Sequence, residues 1–141
     1  MNRLRTSGFT RNVLPAVVYL VALFIGGSWP QGPEIEPVFL FQDKFLHLFA
    51  FGGLQVLVWR ALCHLAPGAR RVRVLGLSLV LSCLAGGLLE LWQGLLPSRE
   101  ADAYDWLADV AGAAIAAVGL RRSRAAGQES PRAVRAATGE Q

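Results

Sequence analysis

The chain has 141 residues, enough for one domain, and 53% of them are hydrophobic against 17% charged. A formal charge of +4 and a pI near 9.8 would suit a nucleic-acid partner. The placement of the charges excludes that class, because the basic residues flank apolar runs instead of forming a polar face.

Four apolar runs, 13–29, 45–65, 74–96 and 105–120, approach the ~20 residues that cross a bilayer core as a helix, the first and fourth being short. None alternates like a barrel strand, and an open sheet has no place against lipid. The expected fold is all-α: an integral membrane four-helix bundle, with residues 13–120 as its transmembrane domain. Residues 1–12 read as a basic arm carrying Arg3, Arg5 and Arg11. The first run has the basic start, apolar core and Gly26-Gly27-Ser28 of a secretory leader, but it is long for one. It ends on Trp29, where an interfacial anchor belongs, so a retained helix is expected. The Pro- and Gly-rich segment that follows contains the apolar Val38–Phe41, which would dip into the interface or lid a site.

The second run opens with Asp43-Lys44-Phe45-Leu46-His47. Asp43 and His47 are one helical turn apart and share a face. Asp43 also reads as an N-cap. His47 lies deeper, and a buried imidazole needs partners for both nitrogens. Gly52-Gly53 and Gly86-Gly87 read as close-packing positions between helices. Cys63 and Cys83 differ in depth by roughly 14 Å, too far for a disulfide, and read as small packing residues. Trp59 marks the inner interface; Trp92, Tyr104 and Trp106 mark the outer one. On the fourth run Ala108, Gly112 and Ala116 form a small-residue packing face. Residues 121–141, rich in Ala and Arg and without periodicity, read as a disordered cytoplasmic tail.

Twelve of the 14 Lys and Arg fall at the ends that the two termini share, leaving only Lys44 and Arg99 at the other. The positive-inside rule then puts both termini in the cytoplasm. The second, third and fourth helices carry Asp43, Lys44, His47, Glu90, Gln93, Arg99, Asp102, Asp105 and Asp109 to one layer near the outer face. Ionisable groups beside an apolar span mark a functional site by default.

Several chemistries fit that layer. His47 with carboxylates is ordinary metal-ligand chemistry, though no local metal motif accompanies it. General acid–base catalysis would use His47, Glu90 and Asp105; apart from Ser98 the layer has no Ser or Cys nucleophile. A binding pocket would use Asp43, Lys44, Gln93, Arg99, Asp102 and Asp109, with Lys44 and Arg99 facing the anionic groups of a lipid or glycan headgroup. An interhelical ion-pair network is the structural alternative, with Arg99 in reach of Glu90, Asp102 and Asp105 for bidentate pairing. Transport is disfavoured because the inner halves read as apolar. The residues name neither a metal nor a cofactor.

The segment Asp43-Lys44-x-x-His47-x-x-x-Phe51 resembles the opening motif of the VanZ-like family. Its second motif is similar to Glu90-x-x-Gln93-x-x-x-Pro97-x-Arg99-x-x-Asp102-x-x-Asp105-x-x-x-Asp109-x-x-Gly112. Order and spacing both fit, over residues 43–112. The family usually has Asn where this chain has Asp109. The resemblance implies a small bacterial protein of the cell membrane whose named member is linked to teicoplanin resistance. Its partners would be the lipid bilayer and a lipid-linked or glycopeptide ligand at the outer face. The resemblance brings no established reaction.

Overall fold

The computed structural model describes residues 8–29, 42–97 and 99–138, with side chains as far as Ser123. Residues 1–7 of the basic arm, the Val38–Phe41 segment, Ser98 and residues 139–141 lie outside the described residues. Four long helices are described: α1 (Leu14–Gly27), α2 (Gln42–Leu65), α3 (Arg71–Gln93) and α4 (Ala103–Thr138). Among the described residues, α2, α3 and the Ala103–Ser123 part of α4 are long and apolar enough to cross a membrane. α1 has 14 residues, which at 1.5 Å each is roughly 21 Å.

The starts of α2, α3 and α4 fall two or three residues ahead of the apolar runs, because polar residues can form the first turn of a helix whose apolar part follows. Asp43 therefore lies in the first turn of α2, where its charge suits the helix dipole. α3 ends at Gln93, ahead of Gly94 and Pro97, instead of continuing to Leu96. The helical backbone of α4 continues through 121–138, the segment read from sequence as a disordered tail. Its Ala and Arg residues are strong helix formers, so lack of an apolar period does not end the helix.

α1 runs antiparallel along α2, preceded by a helical turn at residues 8–12. A Cβ on Gly8 would lie 2.8 Å from the His64 ring, at the far end of α2. Pro15 lacks the N–H that would bond the Arg11 carbonyl, and the Arg60 guanidinium takes that carbonyl instead. Further along, Tyr19 donates its hydroxyl to the Ala50 carbonyl at 3.2 Å. α1 contacts α2 and α3 but not α4.

The most extensive pairing is between α2 and α4. Its cause is backbone contact at Gly112, where an added Cβ would lie 2.0 Å from the Leu48 carbonyl oxygen. The buried stripe of α4 is Asp105, Asp109, Gly112, Ala113 and Ala117. Of the small-residue face expected from sequence, Gly112 lies at its centre, while Ala108 and Ala116 are half-buried at its side. Phe51, Leu54 and Leu89 form the core between α2 and α3, and residues of α1 pack against it. Large apolar side chains such as Phe49, Leu88 and Ile115 face outward, as lipid-facing residues do.

Midway along the bundle the fully buried Gln55 donates to Ser78 Oγ at 2.9 Å and accepts from Ser82 Oγ at 3.0 Å. This second polar layer corrects the expectation that the inner halves are wholly apolar. All three side chains are paired and none is ionisable, so the layer joins α2 to α3 without offering a charge path.

Candidate functional site

The first turn of α2, the last turns of α3 and the first turns of α4 meet at one end of the bundle. Asp102 caps α4: its Oδ1 accepts the Tyr104 N–H at 2.8 Å. In a capping box the residue three positions on, here Asp105, would reach back to the cap's own N–H. That N–H instead donates to Glu90 Oε2 at 3.0 Å. Asp105 is thereby released towards Lys44 and His47.

Lys44 donates to Asp102 Oδ2 at 2.6 Å and also to Asp105. The Lys44 ammonium, helped by the Tyr104 N–H, holds the Asp102 carboxyl below the usual carboxylate range. One turn deeper, His47 stands between two groups of acids. Its Nδ1 lies 2.9 Å from Asp109 Oδ1 and 3.9 Å from Glu90 Oε1. Its Nε2 lies 3.8 Å from Asp105 Oδ2. Asp109 is fully buried, and Glu90 and Asp105 nearly so. Gly86 makes room for Asp109, since a Cβ there would lie 2.7 Å from its Oδ2. Glu90 Oε1 and Asp109 Oδ2 are both buried without a hydrogen-bond partner.

No family model, curated protein or solved structure matches this chain.

Seven of the nine residues singled out by sequence (Asp43, Lys44, His47, Glu90, Asp102, Asp105 and Asp109) gather around this one cluster, Asp43 at its exposed edge. Gln93 and Arg99 turn instead towards the end of α1. Gln93 donates to the Gly27 carbonyl at 3.2 Å, and Arg99 to the Trp29 carbonyl at 3.3 Å. The expected bidentate pairing of Arg99 with Glu90, Asp102 or Asp105 does not occur among the described residues. Lys44 has taken Asp102 and Asp105, and the guanidinium Nε is buried and unpartnered. Lys44 uses two of its three N–H donors on these carboxylates.

The His47 cluster and the Gln93–Arg99 pair both border open space. A cleft of about 760 Å³ is lined by Asp43, Gln93, Arg99, Glu100, Asp102 and Asp105, among others. A smaller cavity of about 210 Å³ is bordered by His47, Gln93, Arg99 and residues of α1. Sequence reasoning missed α1 as a wall of the site. The signal was its C-terminal Gly26-Gly27-Ser28, where backbone carbonyls left free by the helix end accept side chains from α3 and beyond. Trp92 joins in, donating to Ser28 Oγ at 2.7 Å. The arrangement has the parts for two kinds of chemistry: a histidine oriented by carboxylates for proton transfer, and a nitrogen with buried carboxylate oxygens for a metal ion.

Proposed function

We propose that this chain is a VanZ-like protein of the bacterial cytoplasmic membrane whose outer-face cleft binds an envelope component or a glycopeptide antibiotic. It crosses the bilayer four times with both termini cytoplasmic. The distribution of Lys and Arg supports that orientation, since Arg60, Arg70, Arg71, Arg73, Arg121 and Arg122 all lie at the end opposite the cleft. The fourth crossing is supported by the helical turn at 8–12, which lengthens α1 to roughly the 30 Å of a bilayer core. Retention of α1 is supported by the carbonyls of Gly27 and Trp29 that Gln93 and Arg99 engage.

The observation that carries the proposal is the closure of two sequence-distant motifs, 43–51 and 90–112, around one solvent-open cleft of about 760 Å³. The cleft has more acid than base in its lining, with Asp43, Glu100, Asp102 and Asp105 against Arg99. Such a lining suits a ligand rich in amino and hydroxyl groups, as in lipid-linked cell-wall precursors or amino-sugar-bearing glycopeptides. A purely structural ion-pair network is disfavoured, because it would not leave Glu90 Oε1, Arg99 Nε and Asp109 Oδ2 buried and unpaired.

A second reading is favoured by His47, held between buried carboxylates at 2.9 to 3.9 Å. In it the protein is an enzyme that hydrolyses or transfers a lipid-linked headgroup. The test compares bacteria with and without the chain for teicoplanin susceptibility and for their lipid and cell-wall-precursor profiles. Reduced susceptibility with an unchanged profile supports binding, and a modified lipid or precursor supports the enzyme. Identical susceptibility and profiles would remove both.

A further inference from the structure

Two carboxylates buried in an apolar bundle are costly unless positive charge or hydrogen bonds compensate them. Asp109 is 0% and Glu90 6% exposed. Lys44 is engaged by Asp102 and Asp105, and Arg99 points to the Trp29 carbonyl, so neither cation of this layer reaches the pair. A protonated His47 would balance only one of the two charges. Glu90 Oε1, at 3.9 Å from Nδ1, is beyond hydrogen-bond distance of it.

Both unsatisfied carboxylate oxygens belong to side chains that converge on His47. His47, Glu90 and Asp109 each offer one ligand atom, all within 4.8 Å of one another. Neighbouring ligands around a four-coordinate ion with bonds near 2.1 Å are roughly 3.4 Å apart. The Nδ1 distances to Asp109 and Glu90, 2.9 and 3.9 Å, bracket that value. The surroundings also match what holds metal ligands in place. Glu90 Oε2 is fixed by the Asp102 N–H, which leaves Oε1 unpartnered. Asp105 Oδ2 lies 3.8 Å from His47 Nε2, where a small ring rotation makes the carboxylate–histidine contact that orients ligating imidazoles.

We propose that His47 Nδ1, Glu90 Oε1 and Asp109 form a site for a divalent transition-metal ion, Zn2+ being the ion whose ligand chemistry it fits. An imidazole nitrogen with two carboxylates is borderline donor chemistry, whereas Mg2+ and Ca2+ favour oxygen alone. A dication offsets the charge of both buried carboxylates, takes the unpartnered Glu90 Oε1 as a ligand, and stands in for the proton between His47 Nδ1 and Asp109 Oδ1. Three protein ligands leave a vertex for water or a ligand group, and His47 also borders the cavity of about 210 Å³. An ion there supplies Lewis-acid chemistry that the side chains lack. The inference goes beyond the outer-face binding reading and does not depend on it.

The test uses the full chain in lipid nanodiscs, stripped of metal and then equilibrated with Zn2+, or with Co2+ as a spectroscopic probe. Elemental analysis should give one Zn2+ per chain, and Co2+ should develop visible ligand-field bands. Glu90→Gln and Asp109→Asn, each close in shape to the native residue, should weaken Zn2+ binding roughly 100-fold or more. Added Zn2+ should raise the melting temperature of the native chain but not of these variants, which should elute as one species without metal. The double variant Cys63→Ser/Cys83→Ser should bind as the native chain does. Substoichiometric Zn2+ with no Co2+ bands would overturn the proposal. So would binding that survives both carboxyl substitutions, binding that the cysteine variant abolishes, or binding lost in Asp43→Asn but kept in Glu90→Gln.

Discussion

Gly112→Ala is a one-carbon change that tests how the fold positions the site. The new Cβ would lie 2.0 Å from the Leu48 carbonyl oxygen and 2.8 Å from its carbon, against about 3.4 Å for ordinary contact. Both obstructing atoms are backbone, so no rotamer change relieves the clash, and α2 and α4 must separate by roughly 1.4 Å locally. Overpacking of this kind costs about 1–3 kcal/mol, and rigid backbone puts the cost at the upper end. Leu48 adjoins His47, and Gly112 lies one turn beyond Asp109, so separation there carries the 2.9 Å His47–Asp109 contact past hydrogen-bond reach. Gly76→Ala is the matched control, with nothing within 4 Å of its added Cβ. It should be neutral or gain up to about 1 kcal/mol from helix propensity. Both variants would be unfolded by SDS titration in mixed micelles alongside the native chain. If Gly112→Ala proves as stable as Gly76→Ala, the close α2–α4 crossing is wrong, and the site geometry goes with it.

Ser82→Ala removes the hydroxyl that donates to Gln55 Oε1 and should cost about 1–3 kcal/mol in the same titration, whereas replacing Gln55, Ser78 and Ser82 together with apolar residues should cost less. Asp102 has a carboxyl pKa below its ordinary 3.8, so its contribution is present above that value and lost as pH falls through the lower folded-state pKa. Melting curves of Asp102→Asn and the native chain should therefore differ by a constant amount from neutral pH to about pH 4 and converge only below it. A reporter active only in the cytoplasm should work when fused after Arg124 or within residues 67–71. It should fail within residues 98–103, and signal from there would reverse the orientation.

The three long helices were legible because each is a near-continuous apolar run of membrane-spanning length. Spacing alone put Asp43 with His47 and Asp102 with Asp105 and Asp109 on shared faces, and the bundle does bring them together. The choice of partners was not legible. Arg99 had three acids nominally in reach, but Lys44 engages Asp102 and Asp105, and Arg99 turns to the Trp29 carbonyl. Which cation wins depends on how the chain bends between Gly94 and Asp102, and no periodic pattern encodes that. The role of Asp102 as the cap of α4 was hidden because its charge suggested site chemistry first. Gln55 was readable in principle. It is the only amide within the 45–65 run, and Ser78 and Ser82 lie one turn apart on the next helix. Weak residues in a hydrophobic run attract less notice than charged ones, yet in lipid they need partners just as surely.

The central claim is that the buried layer serves a ligand or a reaction and does not merely join helices. Glu90→Gln measures this most directly, with membrane abundance and phenotype read from the same cells. Glutamine keeps the side-chain shape and can still accept the Asp102 N–H, but it removes the carboxylate charge that a metal ion or acid–base chemistry needs. The expected result is native abundance with loss of any resistance or lipid phenotype that the native chain confers, and His47→Gln should behave alike. A Glu90→Gln protein that accumulates normally and keeps the full phenotype would reduce the layer to a packing network.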